Sequence, residues 1–170
     1  MAYISMVEYD NASPEAKQAY DEHAKSARIT NMKKTLLHSP PAFKVMMEWY
    51  TLRDEAAKFL SPLEINFYCY AISSQNDCLI CSTFFRKILR DDNIRFEEFE
   101  FTARQQLLVD YGRALVRNAH EVGDELFARL KAVFSEEEIV LLTAFGAIMI
   151  ATNLINTTLQ VPLDGYLSGY

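Results

Sequence analysis

Ser61 to Leu89 reads SPLEINFYCYAISSQNDCLICSTFFRKIL, and the fold turns on this stretch. It opens with a helix start. Ser61 is an N-cap, Pro62 takes the first helical position, and Glu64 falls where a capping box needs it. Apolar residues follow as far as Ile72, interrupted only by Asn66. A short polar run, Ser73 to Asp77, then separates them from a second apolar segment. Cys78 and Cys81 stand at its head as C-x-x-C. Nothing in it alternates with a period of two, so the pattern is helix, turn, helix.

The same start signals recur outward from this centre. Ser13-Pro14-Glu15 and Ser39-Pro40 repeat the serine–proline device, and Thr102-x-x-Gln105 and Ser135-x-x-Glu138 are two further capping boxes. Between them apolar residues return at intervals of three and four, as in Leu107, Leu108, Tyr111 and Leu115. The chain holds only 5 glycines and no Asn-Gly or Asp-Gly pair to mark a hairpin. The expected class is all-α. Helices are expected over 14–27, 40–59, 62–74, 78–90, 103–119, 122–133 and 136–158, with a short helical piece over 31–37. The polar stretch Leu89 to Phe101 reads as a surface connection. With 170 residues and no linker or low-complexity tract, one compact multi-helix domain over 1–170 is expected.

Composition narrows the function. Half of the residues are hydrophobic and 24% are charged, a globular balance. The net charge of −6 and the scattered Lys and Arg argue against a nucleic-acid surface. The apolar run Ile139 to Thr152 is shorter than the about 20 residues of a membrane span, and a central buried helix, or a helix shared with another subunit, is expected there. The N-terminus shows neither a basic region nor an apolar one, so the cytoplasm is the expected compartment. Three cysteines in a reducing compartment point to redox chemistry or metal rather than to a disulfide framework.

The Cys78–Cys81 pair admits three readings. As a working dithiol, with Asn76-Asp77 as N-cap, both sulfurs lie in the first helical turn. They share a face there, and the helix dipole favours a thiolate. As half of a zinc site the pair would need two more ligands from Cys69, His23, His38 and His120, none in a second paired spacing. As inert residues the two would be small buried hydrophobes. Haem attachment would need His after Cys81, where Ser82 stands. No metal and no cofactor are expected. Asn66, Cys69, Tyr70 and Ser73 share one face of the preceding helix. If the two helices pack antiparallel, that face looks at the dithiol, with Tyr70 and Cys69 as candidate neighbours.

Leu60 to Cys81, LSPLEINFYCYAISSQNDCLIC, resembles the core of the carboxymuconolactone decarboxylase-like superfamily, nearest to its alkylhydroperoxidase D-like, peroxidase-related branch. Thr152 to Leu167, TNLINTTLQVPLDGYL, is similar to the closing Asn-rich helix and tail of that family. The resemblance covers roughly residues 35–165. It implies an all-α fold in homo-oligomers, trimers or hexamers, and thiol-based reduction of peroxides or disulfides. Cys81 would attack the peroxide and become a sulfenic acid. Cys78 would resolve it as a disulfide, and an external dithiol would reduce the pair. The family's proton relay places a glutamate twelve residues before the first cysteine and a histidine four after the second. Here those positions hold Asn66 and Phe85. The implied peroxidase would therefore be a weak one. A non-catalytic oligomer with a redox-sensing or vestigial dithiol, and a small-molecule binding protein, are the alternatives.

Overall fold

The computed structural model describes residues 2–170; Met1, the first residue of the expected domain, lies outside them. Among the described residues there is no strand, and nine α-helices run in order. They are α1 (Pro14–Ala24), α2 (Asn31–Leu36), α3 (Pro40–Met47), α4 (Trp49–Ala56) and α5 (Pro62–Gln75). After these come α6 (Leu79–Asp91), α7 (Ala103–Arg117), α8 (Asp124–Lys131) and α9 (Glu136–Thr158).

The helix starts are where the caps put them. Ser13 Oγ accepts from the Ala16 N–H, and Ser39 Oγ from the Ala42 N–H. Ser61 with Glu64, Thr102 with Gln105 and Ser135 with Glu138 each close a two-way capping box. Glu64 carries a second load. Its Oε1 accepts from Arg104 Nε at 2.8 Å, which ties α5 to α7. Burial pushes the Glu64 carboxyl up, but the Ser61 and Arg104 hydrogen bonds outweigh it and leave it below its ordinary value. This contribution is present above the ordinary carboxylate range and is lost on acidification.

Several expected elements differ from what forms. The single helix over 40–59 is two helices broken at Glu48, whose N–H reaches back only three residues, to Val45 O at 3.2 Å. The break lets α3 bury Phe43 against α1 while α4 lies along α9. The α1 and α8 spans are shorter than expected at their ends. Leu89 to Phe101 is more than a surface connection. Phe96, Phe99 and Phe101 close around the fully buried Phe67 of α5, with ring centroids 5.8, 4.9 and 4.9 Å away.

The main core gathers α4 to α9 around α5, whose residues from Phe67 to Ser73 are all buried. A smaller core joins Ala16, Ala19, Leu36, Leu37 and Phe43, and Ile155 of α9 packs against it. By length and hydropathy α9 matches a membrane span, but it lies against α4, α5, α6, α7 and α8 and buries Asn153 and Asn156. It packs within the bundle against α4 and α5. After it, the tail is pinned to α2. Asn31 donates its backbone N–H to Asp164 Oδ1 at 2.9 Å and its side-chain N–H to Pro162 O at 3.1 Å.

Candidate active site

The C-x-x-C turn is built by the end of α5. Asp77 adopts φ +50°, the left-handed region. Its N–H donates to Ser74 O at 3.3 Å, and the Cys78 N–H donates to Ser73 O at 3.0 Å. This is a Schellman closure of α5. Cys78 is therefore the last residue of that closure and, at the same time, the N-cap of α6. The expected placement corrects accordingly: neither Asn76 nor Asp77 caps α6, and Cys81 alone lies in its first turn. Left-handed backbone costs a non-glycine residue about 1–2 kcal/mol. Asp77→Gly is expected to raise stability by about 0.5–1 kcal/mol after glycine's extra entropy is subtracted. Chemical denaturation would measure it, and a loss of stability would show that the aspartate supports the turn.

Both cysteines are free thiols, 1% and 6% exposed for Cys78 and Cys81. They interact sulfur to sulfur, and α9 closes the other side. Asn156 Nδ2 donates to Cys81 Sγ at 3.3 Å. Hydrogen bonding from the Cys81 thiol lowers Cys78 to about 6 against the pull of burial, and the Cys81 backbone N–H, Thr157 and Asn156 add to the effect. The same thiol–thiol hydrogen bond, with burial, pushes Cys81 well up. The two thiols titrate as one unit, and their interaction favours ionisation of Cys78 over Cys81. An amide can offer N–H to a thiolate or oxygen to a thiol, so Asn156 suits either protonation state of Cys81.

Cys81, not Cys78, opens onto a pocket of about 110 Å³. Ile80, Phe84 and Phe85 of α6 form one wall with Met149 of α9; Met46, Met47 and Trp49 form another. Two buried polar atoms of lining residues have no hydrogen-bond partner, Trp49 Nε1 and Asn156 Oδ1. Lys33 also reaches this pocket. It is 4% exposed and donates to Arg28 O at 2.6 Å and to Tyr50 Oη at 2.9 Å. Desolvation lowers it to about 8, against the opposing charge of Asp164.

The other candidate residues are distributed unevenly. Phe85 lies in the pocket wall one turn beyond Cys81. Asn66 is half-buried on α5 and is not part of the lining. Tyr70 turns away: its hydroxyl donates to Glu97 Oε1 at 3.0 Å, at a separate cleft lined by Arg86, Phe96 and Glu97. Cys69 is fully buried, and burial pushes its thiol far up; a negative charge there would raise Cys81 further. The histidines lie elsewhere, His23 between Phe43 and Tyr50 and His38 against Ser5. Among the described residues no three His, Cys, Asp or Glu side chains gather as a metal site. Sequence reasoning missed Asn156, Thr157, Trp49 and Lys33. For the first two a signal existed, the Asn-rich end of α9.

No known family's sequence profile matches the chain, and no curated protein is similar to it by sequence. Solved structures are similar. A peroxidase-related protein of Silicibacter sp. TM1040 superposes with a TM-score of 0.78 at 16% identity, over 99% of this chain and 94% of its own. A peroxidase-related protein of Ralstonia eutropha JMP134, with an alkylhydroperoxidase AhpD core, gives 0.76 at 19% identity over 98% and 94%. A protein of Agrobacterium tumefaciens, described as a candidate AhpD-type antioxidant defence protein, gives 0.62 at 25% identity over 74% and 92%. The chain carries the alkylhydroperoxidase D-like fold.

Proposed function

We propose that the protein is a thiol-dependent peroxidase in which Cys81 attacks, Cys78 resolves, and an external dithiol restores the pair. The observation that carries this reading is the placement of the pair: Cys81 lines the pocket with the Asn156 amide on its sulfur, and Cys78, the N-cap of the same helix, stands behind it outside the lining. Cys78 then acts as the base that the missing glutamate and histidine would otherwise serve.

The steps balance. Cys78 takes the proton of Cys81, and the Cys81 thiolate attacks the outer peroxide oxygen. The O–O bond breaks, Cys81 becomes a sulfenic acid, and the alkoxide takes the proton held by Cys78 and leaves as alcohol. The Cys78 thiolate then attacks the Cys81 sulfur, forming the disulfide and releasing hydroxide, which water protonates. Reduction by a dithiol returns both thiols. A hydroperoxide carries one O–H donor and acceptor oxygens, and the unpaired Asn156 Oδ1 and Trp49 Nε1–H are complementary to that set.

The pH dependence follows from the pair. Because the Cys78 value is lowered to about 6, the thiolate is present above that pH and disappears below it. Its stabilisation of the fold has the same sign: fully present above the ordinary thiol range and lost as pH falls through about 6. Peroxide-driven disulfide formation, followed by mass spectrometry, is expected to rise through a midpoint near 6. A midpoint in the ordinary thiol range near 8.5 would remove Cys78 as the base.

Self-association belongs to the same proposal. Val140, Ala144, Ala147, Ala151 and Leu154 form an apolar stripe along α9, with Val140 68% and Leu154 55% exposed. An uncovered apolar row with small central residues suits a second copy of the chain. Sedimentation is expected to give a multiple of 19.5 kDa, reduced to the monomer by Ala147→Glu. A 19.5 kDa species at micromolar concentration in the unmodified protein would contradict it. Three free thiols fit a reducing compartment, and we place the protein in the cytoplasm on that ground.

A further inference from the structure

The geometry points to an anion site in front of the dithiol, so that the ligand of the Cys81 pocket is a short organic acid whose carboxylate stays outside while its apolar chain enters. This deepens the peroxidase reading, and as a peroxidase substrate the ligand would be a hydroperoxide carried on such an acid.

The pocket at Cys81 does not end at Lys33. Thr30, Lys33, Tyr50, Phe84 and Tyr166 line it and also line an outer vestibule of about 340 Å³. The vestibule adds Arg28, Lys87 and Ile88. It therefore holds three cationic side chains and no carboxylate, in a protein whose net charge is −6. That sign is opposite to the chain's own. Among the described residues no carboxylate forms an ion pair with Arg28 or Lys33, and Lys87 alone is paired, with Asp91. Arg28 is held in place by the Tyr166 ring, 4.3 Å from its guanidinium carbon. Lys33 is buried, and two of its three N–H groups are engaged, by Arg28 O and Tyr50 Oη. A third remains for a ligand. Burying an ammonium is costly, and desolvation lowers Lys33 although the Asp164 carboxylate opposes it. Asp164 lines the Cys81 pocket but not the vestibule, and its Oδ1 already accepts from the Asn31 N–H.

The inner half has the opposite character. Methionines 32, 46, 47 and 149 and the rings of Phe84 and Phe85 surround it. Methionine walls adapt to variable apolar shapes. Its volume of about 110 Å³ is smaller than the ~150 Å³ cavity known to hold benzene, so it takes a chain of about five heavy atoms. Cation outside, apolar space inside and a thiol at the inner wall together define a molecule with a charged head and a short tail.

The test uses hexanoate and its neutral counterpart hexanamide on the reduced protein, with no peroxide present. Calorimetry is expected to show hexanoate binding at least tenfold tighter than hexanamide, and saturating hexanoate is expected to slow iodoacetamide alkylation of Cys81 by at least fivefold. Arg28→Gln, at the surface, is expected to weaken hexanoate about tenfold and hexanamide far less; Lys33→Met, checked for folding by circular dichroism, is expected to do the same. Equal affinity for acid and amide, absence of hexanoate binding, or binding that leaves Cys81 alkylation unchanged would overturn the inference. Because peroxide takes no part, these outcomes are separate from failure of the peroxidase reading, which would appear as persistent free thiols under oxidant.

Discussion

Cys81→Ser is expected to bring peroxide-dependent turnover down to the uncatalysed background, the largest functional effect of any single change in this chain. A serine hydroxyl at that place has no thiolate form and cannot become a sulfenic acid. Cys78→Ser is expected to act differently. It removes the base that receives the Cys81 proton, and general-base help of this kind is worth about 10²–10⁴-fold. It also removes the resolving thiol, so one round of reaction should leave Cys81 one oxygen heavier, with no disulfide. A peroxide-consumption assay with a dithiol donor, beside the mass of the peptide holding both positions, separates the two variants. Cys81→Ser protein that still consumes peroxide at the unmodified rate would move the chemistry elsewhere, and Cys69 is too buried to take it over.

For the fold, the largest effect is expected from Phe67→Ala, at about 3–5 kcal/mol of lost stability. Phe67 is 0% exposed and anchors α5 to the segment between α6 and α7. Three rings meet it, those of Phe96, Phe99 and Phe101, and all three also contact Tyr70 or one another. Each such aromatic pair is worth about 0.5–1.5 kcal/mol beyond its buried area. The segment is otherwise short 3₁₀ and loop backbone, so it has few means to close over the cavity. Urea unfolding would measure the change. A loss under about 1 kcal/mol would show that the three phenylalanines collapse onto the vacated space and that their packing contributes little.

The helix starts were legible because a cap is local: Ser61, Thr102 and Ser135 each meet their partner three residues on. The break at Glu48 was not, since it reflects two different tertiary partners, α1 for Phe43 and α9 for the residues after Trp49. Asn76-Asp77 misled for a related reason. Both residues favour N-caps, but Asp also tolerates the left-handed region, and the two-residue connection needs a Schellman closure there. In the site, Cys78 and Cys81 stood out by spacing alone. The groups that govern them did not, because Asn156 is 75 residues from Cys81 in sequence and meets it only when α9 crosses the bundle. Tyr70 follows Cys69 directly, and adjacent helical residues do not point the same way. Its hydroxyl reaches Glu97 instead of the dithiol. Lys33, one of two adjacent lysines on a six-residue helix, carries no pattern in the sequence that marks it as buried.

The central claim is that Cys78 and Cys81 exchange two thiols for a disulfide at the expense of a peroxide. Its most direct measurement is peptide mass mapping after one equivalent of hydroperoxide, with unreacted thiols alkylated, and again after a dithiol reductant. The expected result is a loss of two hydrogens within the peptide spanning Cys78 and Cys81, with Cys69 still a free thiol, and full reversal by the reductant. Both Cys78 and Cys81 recovered as alkylated thiols under excess peroxide would contradict it.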